Sequence, residues 1–226
     1  MKRLVGCLKK CGFTLVELIV VISIIGILSA ILVPTILGYT TEAQITSADS
    51  TASSVSATIE HFLLEYDTLG CGMKRSSDCT SIMTIKIETN GGSPEWTVAL
   101  TDTSSFVDGP VMRWSTAGTP ITEADTVSTH MASAQNRLAI KLCHEYPELK
   151  RGYIWAALRA GNVEALYYSP DGVSIAQLET TYSNGALKAT SDVDWANRTC
   201  KWNNNDRGIS SSGYVAGTFP ALALGS

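Results

Sequence analysis

The hydrophobic pattern changes character along the chain. From Phe13 to Val33 almost every position is apolar, FTLVELIVVISIIGILSAILV, broken only by Thr14, Glu17, Ser23 and Ser29. As helix this run is ~31 Å long, close to the thickness of a bilayer hydrocarbon core. Beyond it the apolar positions narrow to one stripe. Ile45, Ala48, Ala52, Val55, Ile59, Phe62 and Tyr66 recur at spacings of 3 and 4, the mark of an amphipathic helix. The opposite face carries Glu42, Ser47, Ser50, Ser54, Thr58 and Glu65, and Gly70 and Gly72 supply stop signals. A single helix of ~80 Å from Phe13 to Tyr66 is expected, apolar all round in its first half and one-sided in its second. Pro34 lies between the halves, where its missing N–H and its clash with the preceding turn predict a kink, and Gly26 is a second weak point.

After Cys71 the pattern alternates between periods. Ile82–Ile87 alternates as a strand does, and Trp96–Leu100 and Val111–Trp114 are short strand candidates. Met131, Ala134, Leu138, Leu142 and Tyr146 fall on one face of a helix that Pro147 ends. Tyr153–Leu158 and Val163–Tyr168 flank Arg159-Ala160-Gly161-Asn162, a hairpin signal, and Ser169-Pro170-Asp171-Gly172 reads as a turn. A second hairpin is expected from residues 174–181 and 186–189 around Asn184-Gly185, after which the chain is turn-rich. The predicted fold class is α+β: a long N-terminal helix, transmembrane then amphipathic, packed on a four- or five-stranded antiparallel sheet head with one extra helix.

Three readings compete for the N-terminus. A secretory signal peptide has an apolar region of ~7–15 residues and a small-x-small cleavage site; this run is longer and lacks such a site. A plain signal anchor fits the length but leaves Glu17 unexplained, since an acid inside an apolar span is functional by default. The third reading accounts for both. Gly12-Phe13-Thr14-Leu15-Val16-Glu17, after a short basic leader, closely resembles the processing site of type IV pilins and type II secretion pseudopilins. The resemblance covers roughly Lys9 to Gln44. It implies cleavage after Gly12 by a prepilin peptidase and N-methylation of the new N-terminal Phe13. It also implies that Glu17 pairs with the N-terminal amine of a neighbouring subunit. Gly26 and Pro34 match positions where the family has Gly and Pro, and the segment between them is implied to loosen in a filament. The divisions that follow are a leader at 1–12, a transmembrane and filament-core half-helix at 13–39, and a head at 40–226 that includes the amphipathic half of the helix.

Charge agrees with this order. Lys2, Arg3, Lys9 and Lys10 precede the apolar run with no acid among them, so the positive-inside rule keeps the N-terminus cytoplasmic and puts the head outside. The rest of the chain holds 13 basic against 21 acidic residues, a balance with no broad attraction for nucleic acid.

Cys7 and Cys11 lie in the leader, and Cys71, Cys79, Cys143 and Cys200 remain. An even number on the outward side suits an oxidising compartment, and four cysteines allow three pairings. The favoured set is Cys71–Cys79 with Cys143–Cys200, the second resembling the C-terminal staple common in pilins. The cysteine spacing is not that of a zinc site. No cofactor is expected. The oxygen-rich C-terminal region offers weak calcium candidates in Asp192, Asp194 and Asp206, with Asn203 and Asn205 beside them, in no recognised spacing. Trp195, Trp202, Tyr214 and Phe219 read as core or contact aromatics, and Asn197-Arg198-Thr199 is a sequon.

No P-loop, G-x-S-x-G, H-E-x-x-H or dinucleotide fingerprint occurs, and His61, His130 and His144 read as surface or packing residues. The expectation is a non-enzymatic subunit of a type IV pilus for adhesion, motility or DNA uptake. The alternative is a pseudopilin of a type II secretion system. Its partners would be copies of itself or other pilins, the prepilin peptidase and the assembly machinery. It would sit in the membrane before assembly and in an extracellular pilus or periplasmic pseudopilus after it.

Overall fold

The computed structural model describes residues 13–172, 193–194, 199–200 and 217–219. The chain forms two compact units, 1–43 and 44–226. Helix α1, Leu15–Thr68, begins in the first and ends in the second. Its helical assignment continues through Gly26 and Pro34; the side chain of Pro34 lies outside the described residues.

In the second unit the predicted stripe is the buried face of α1. Ala48, Ala52, Val55, Ile59, Phe62 and Tyr66 are all buried, with Leu63 beside them. The helix then stops by hydrogen bonding. Cys71 N–H donates to Tyr66 O at 3.0 Å and Gly70 N–H to Asp67 O at 3.0 Å, with Gly70 at φ 74°. These are the two bonds of a Schellman cap, which needs a residue in the left-handed region. A side chain at Gly72 would fall 2.6 Å from the Asp67 backbone, so both glycines are used.

Among the described residues seven strands follow: β1 Thr80–Asn90, β2 Ser93–Leu100, β3 Gly152–Arg159, β4 Asn162–Ser169, β5 Val193–Asp194, β6 Thr199–Cys200 and β7 Gly217–Phe219. The main sheet runs β2-β1-β3-β4-β7, with every neighbouring pair antiparallel. A separate two-stranded pair joins β5 to β6. Alternation sets the inner face: Met83, Ile85 and Ile87 of β1 and Trp96, Val98 and Leu100 of β2 are buried. Strands β3 and β4 are buried on both faces. Ile154, Ala156, Leu158, Val163, Leu166 and Tyr168 belong to the core shared with α1, whereas Trp155, Ala157, Ala165 and Tyr167 alternate with them.

Helix α2, Ala134–Glu145, is the expected extra helix and packs against β2. Ser133 caps it by accepting the Asn136 N–H at 3.3 Å. Ala134, Leu138 and Leu142 are buried as predicted, but Met131 precedes the helix and is exposed. The predicted strand at Val111–Trp114 is absent from the described elements. Only Arg113 makes a bridge, to Ser133, because this stretch serves the core through Trp114. The Trp114 indole N–H donates to Cys71 O at 2.7 Å, and its ring packs on Phe106 and edge-on to Phe62. The hairpin expected from residues 174–189 lies outside the described residues.

Candidate functional site

The first unit presents an uncovered apolar helix with one carboxylate near its start. Leu15–Val33 has a mean hydropathy of 2.9 with none of it buried, long and apolar enough to cross a membrane. Thr14 is the residue before the helix and its carbonyl accepts the first helical bond, from Leu18 N–H at 3.2 Å. Glu17 stands three residues on, and the two close a reciprocal pair. Thr14 N–H donates to Glu17 Oε2 at 2.8 Å, Thr14 Oγ1 donates to the same oxygen at 2.7 Å, and Glu17 N–H donates to Thr14 Oγ1 at 3.2 Å. This is a capping box, which satisfies helix-start N–H groups that have no partner within the helix. It sets the carboxylate beside Phe13, itself exposed. A Cβ at Gly26 would meet nothing within 4 Å, so packing within one chain does not require glycine there. Gly12 lies outside the described residues. The sequence pattern marked Glu17 but gave no notice of Thr14 as its partner, although the T-x-x-E spacing is the signal for such a box.

In the second unit two carboxylates of α1 hold strands of the sheet. Asp49 Oδ1 accepts the Thr218 N–H of β7 at 2.8 Å, and Glu60 Oε1 accepts the Val163 N–H of β4 at 2.9 Å. Both acids escaped the sequence reading, because helical periodicity identifies the buried stripe and not the polar residues at its margins. Thr58 links α1 to α2, contacting Glu145 Oε2 and the Tyr146 hydroxyl, each at 2.9 Å.

The expected Cys71–Cys79 bridge is not formed: among the described residues Cys71, Cys79 and Cys143 carry free thiols. Cys71 is buried against the loop at Gly109, where an added Cβ would come within 2.9 Å of its own. Cys79 lies at the entrance to β1, its carbonyl accepting Ala160 N–H at 3.1 Å. The residues between them are drawn to a third segment, with Met73 bridged to Phe106 and Lys74 N–H donating to Ser105 O at 2.8 Å. Burial pushes the Cys71 and Cys143 thiols up from the ordinary range. The side chain of Cys200 lies outside the described residues, as do Asp192, Asp206 and the side chain of Asp194. Among the described residues no group of three or more His, Cys, Asp or Glu could hold a metal ion. His61 touches Lys141 at 3.3 Å, His144 is exposed, and His130 sits in a side-chain network between Asp125 and Asn136. Trp195, Trp202, Tyr214 and the sequon Asn side chain are outside the described residues. Phe219 packs partly buried against the core.

Comparison with known proteins agrees with the N-terminal geometry. Residues 7–33 match the family model described as the prokaryotic N-terminal methylation motif. Two fimbrial proteins of Pseudomonas aeruginosa are each 46% identical over 54 residues, which is 24% of this chain and 35% of each relative. The chain thus spans about a third of the length of those relatives. A fimbrial protein of Neisseria meningitidis serogroup A is 26% identical over 135 residues, 53% of this chain and 79% of the relative. No solved structure matches the chain. The apolar N-terminal helix fits a membrane anchor. The methylation motif and the fimbrial relatives, with a long N-terminal helix and an antiparallel sheet, liken the chain to type IV pilins.

Proposed function

We propose that the chain is a structural subunit of a type IV pilus. On this reading a prepilin peptidase cleaves it after Gly12, Phe13 is N-methylated, and the subunit polymerises through its N-terminal helix into a surface filament. It acts by assembly and not by catalysis, with no cofactor, and its partners are further copies or related pilins and the assembly machinery.

The observation that carries the reading is Glu17 fixed by Thr14 at the start of a helix that is apolar all round and uncovered. Such a helix is stable in lipid or among other apolar helices, where an unpaired carboxylate is costly. Cleavage after Gly12 creates a positive amine on Phe13. A neighbouring subunit's amine then neutralises Glu17 only in the correct axial register, so one pair selects how subunits stack. The capping box keeps the carboxylate at the helix start, at the level of Phe13, before the neighbour arrives.

Mass spectrometry on filaments sheared from cells, compared with the membrane fraction, tests this. The expected result is protein beginning at N-methylated Phe13 and abundant in the sheared fraction. Processed protein confined to the membrane would favour a secretion pseudopilin, and protein still beginning at Met1 in both fractions would overturn the family's processing for this chain. Glu17→Leu is expected to be cleaved normally yet to be missing from filaments.

A further inference from the structure

The loop between β2 and α2 protects a sheet edge. Residues 116–121 run along β2, with Trp96 N–H donating to Ile121 O at 2.7 Å and Ile121 N–H to Trp96 O at 2.9 Å. Gly118 N–H donates to Val98 O at 2.9 Å and Leu100 N–H to Thr116 O at 3.0 Å. An uncovered edge of this kind is a template for pairing with another chain. The cover lies close, since a Cβ on Gly118 would stand 2.5 Å from Val98 O.

Two buried amides of α2 hold the cover down. Gln135 Nε2 donates to Ser115 O at 2.8 Å and its Oε1 accepts Ser115 N–H at 3.3 Å. Asn136 Oδ1 accepts Thr119 N–H at 3.1 Å, and its Nδ2 donates to Thr119 Oγ1 at 2.7 Å. The same Nδ2 lies 3.1 Å from His130 Nδ1, and His130 Nε2 lies 3.1 Å from Asp125 Oδ1. Asp125 Oδ2 accepts the N–H and hydroxyl of Thr122, at 2.8 and 2.9 Å. The chain of bonds Thr119–Asn136–His130–Asp125–Thr122 therefore starts in the covering segment and finishes at the residue that follows it.

These partners fix the histidine's proton. Asn136 presents its oxygen to the Thr119 N–H, so its nitrogen faces the imidazole as a donor. His130 Nδ1 must then accept, and the single proton sits on Nε2, pointing at Asp125. Charging the imidazole keeps the Asp125 contact but turns Nδ1 into a second donor against the Asn136 nitrogen. Inverting the amide to relieve this removes the acceptor from Thr119 N–H. Asp125 is the charged group in contact with the ring among the described residues. The 3-10 turn at Val127–His130 adds no charged side chain besides the imidazole itself, and α2 brings the neutral Asn136. Glu123 and Lys150 bear on the nearby Cys143 thiol, as does Asp125.

We propose that His130 is a proton-operated latch: neutral, it clips the edge-covering segment 116–121 to α2, and charged, it lets that segment loosen from β2. Imidazole is the side chain suited to change charge between pH 5 and 8. Acidification of the surroundings would then expose the backbone groups of Trp96, Val98 and Leu100 to a second strand.

Amide hydrogen exchange on the full chain in detergent micelles, corrected for intrinsic rates, tests the latch. Between pH 7.5 and 5.5 the protection of Trp96, Gly118, Thr119 and Ile121 is expected to fall about tenfold, the scale of one lost hydrogen bond, while Ile154 and Leu166 stay protected. In His130→Gln the step should vanish. An unchanged step in that variant, or no step in the unmodified chain, overturns the proposal. Nitrogen-15 spectra of the unmodified chain's imidazole at pH 7.5 give a test that needs no variant to fold: the neutral ring should carry its proton on Nε2, and a proton on Nδ1 rules the latch out.

Discussion

Asp49 holds the backbone N–H of Thr218 at 2.8 Å, a bond that spans 169 positions of sequence. It is reinforced by a close approach, because a Cβ on Gly217 would lie 2.1 Å from the carbonyl carbon of Ala48. Among the described residues strand β7 pairs with β4 at Gly217 to Phe219, and α1 fixes this stretch in place. Gly217→Ala should therefore destabilise the protein by about 3 kcal/mol, since backbone and not a pliable side chain is in the way. Asp49→Ala should cost about 1–3 kcal/mol by leaving the Thr218 N–H without its partner. Denaturant unfolding checks both, and a loss below about half a kcal/mol for Gly217→Ala would contradict the packing.

The β3–β4 turn invites an improvement. Ala160 has φ 50° and Gly161 φ 83°, the two left-handed residues that a two-residue hairpin of this twist requires. Glycine is suited to its place; alanine is not. Ala160→Asn should stabilise by about 0.5–1 kcal/mol and raise the melting temperature by a few degrees. Gly161→Ala should do the reverse. The nearest atoms to a Cβ there belong to the Arg75 guanidinium, at 3.7 Å, so its cost would come from the backbone and not from crowding.

Which parts could be read ahead of the structure follows from what each signal measures. The buried face of α1 was legible because a seven-member stripe at helical spacing arises from little besides an amphipathic helix. The Arg159–Asn162 hairpin was legible because its turn residues sit between two apolar runs. Val111–Trp114 misled because a bulky residue such as Trp114 is as suited to a buried loop as to a strand, and no partner for it is visible in sequence. The carboxylates Asp49 and Glu60 were hidden for a related reason. Each bonds to a backbone N–H 169 or 103 positions away, and no local pattern carries that information. At the N-terminus the functional acid was evident, while its Thr14 partner went unremarked despite a spacing that announces it.

Removing that partner should have a measurable effect short of unfolding. Thr14→Val keeps the size and the β-branch but loses the hydroxyl that donates to Glu17 and accepts its N–H. A lost cap of this type costs about 1 kcal/mol. Exchange of the Glu17 amide in micelles should therefore speed up about fivefold, with amides beyond Ile24 unaffected. If subunit stacking depends on where the Glu17 carboxylate is held, Thr14→Val should also lower filament yield while leaving cleavage intact. Thr14→Ser, which keeps the hydroxyl, should restore both.

Alkaline pH tests the packing of the head from another direction. Burial pushes the Tyr168 phenol up from 10.0 to about 12, with the carboxylates of Glu148 and Asp171 acting in the same sense. The folded protein therefore holds this proton more tightly than the unfolded chain does. Tyr168 contributes its full stabilisation below pH 10, and that contribution is lost as pH rises from 10 toward 12. The buried thiols of Cys71 and Cys143, also raised by burial, begin the same loss nearer their unfolded value of 9.0. Unfolding free energy measured at pH 8, 10 and 11.5 should decline in that order. Tyr168→Phe removes the proton while keeping the ring, so its decline above pH 10 should be shallower by an amount of order 2 kcal/mol at pH 11.5. An identical slope for the two proteins would mean that the phenol is open to water in the folded state, and that β4 does not pack against α1 in solution.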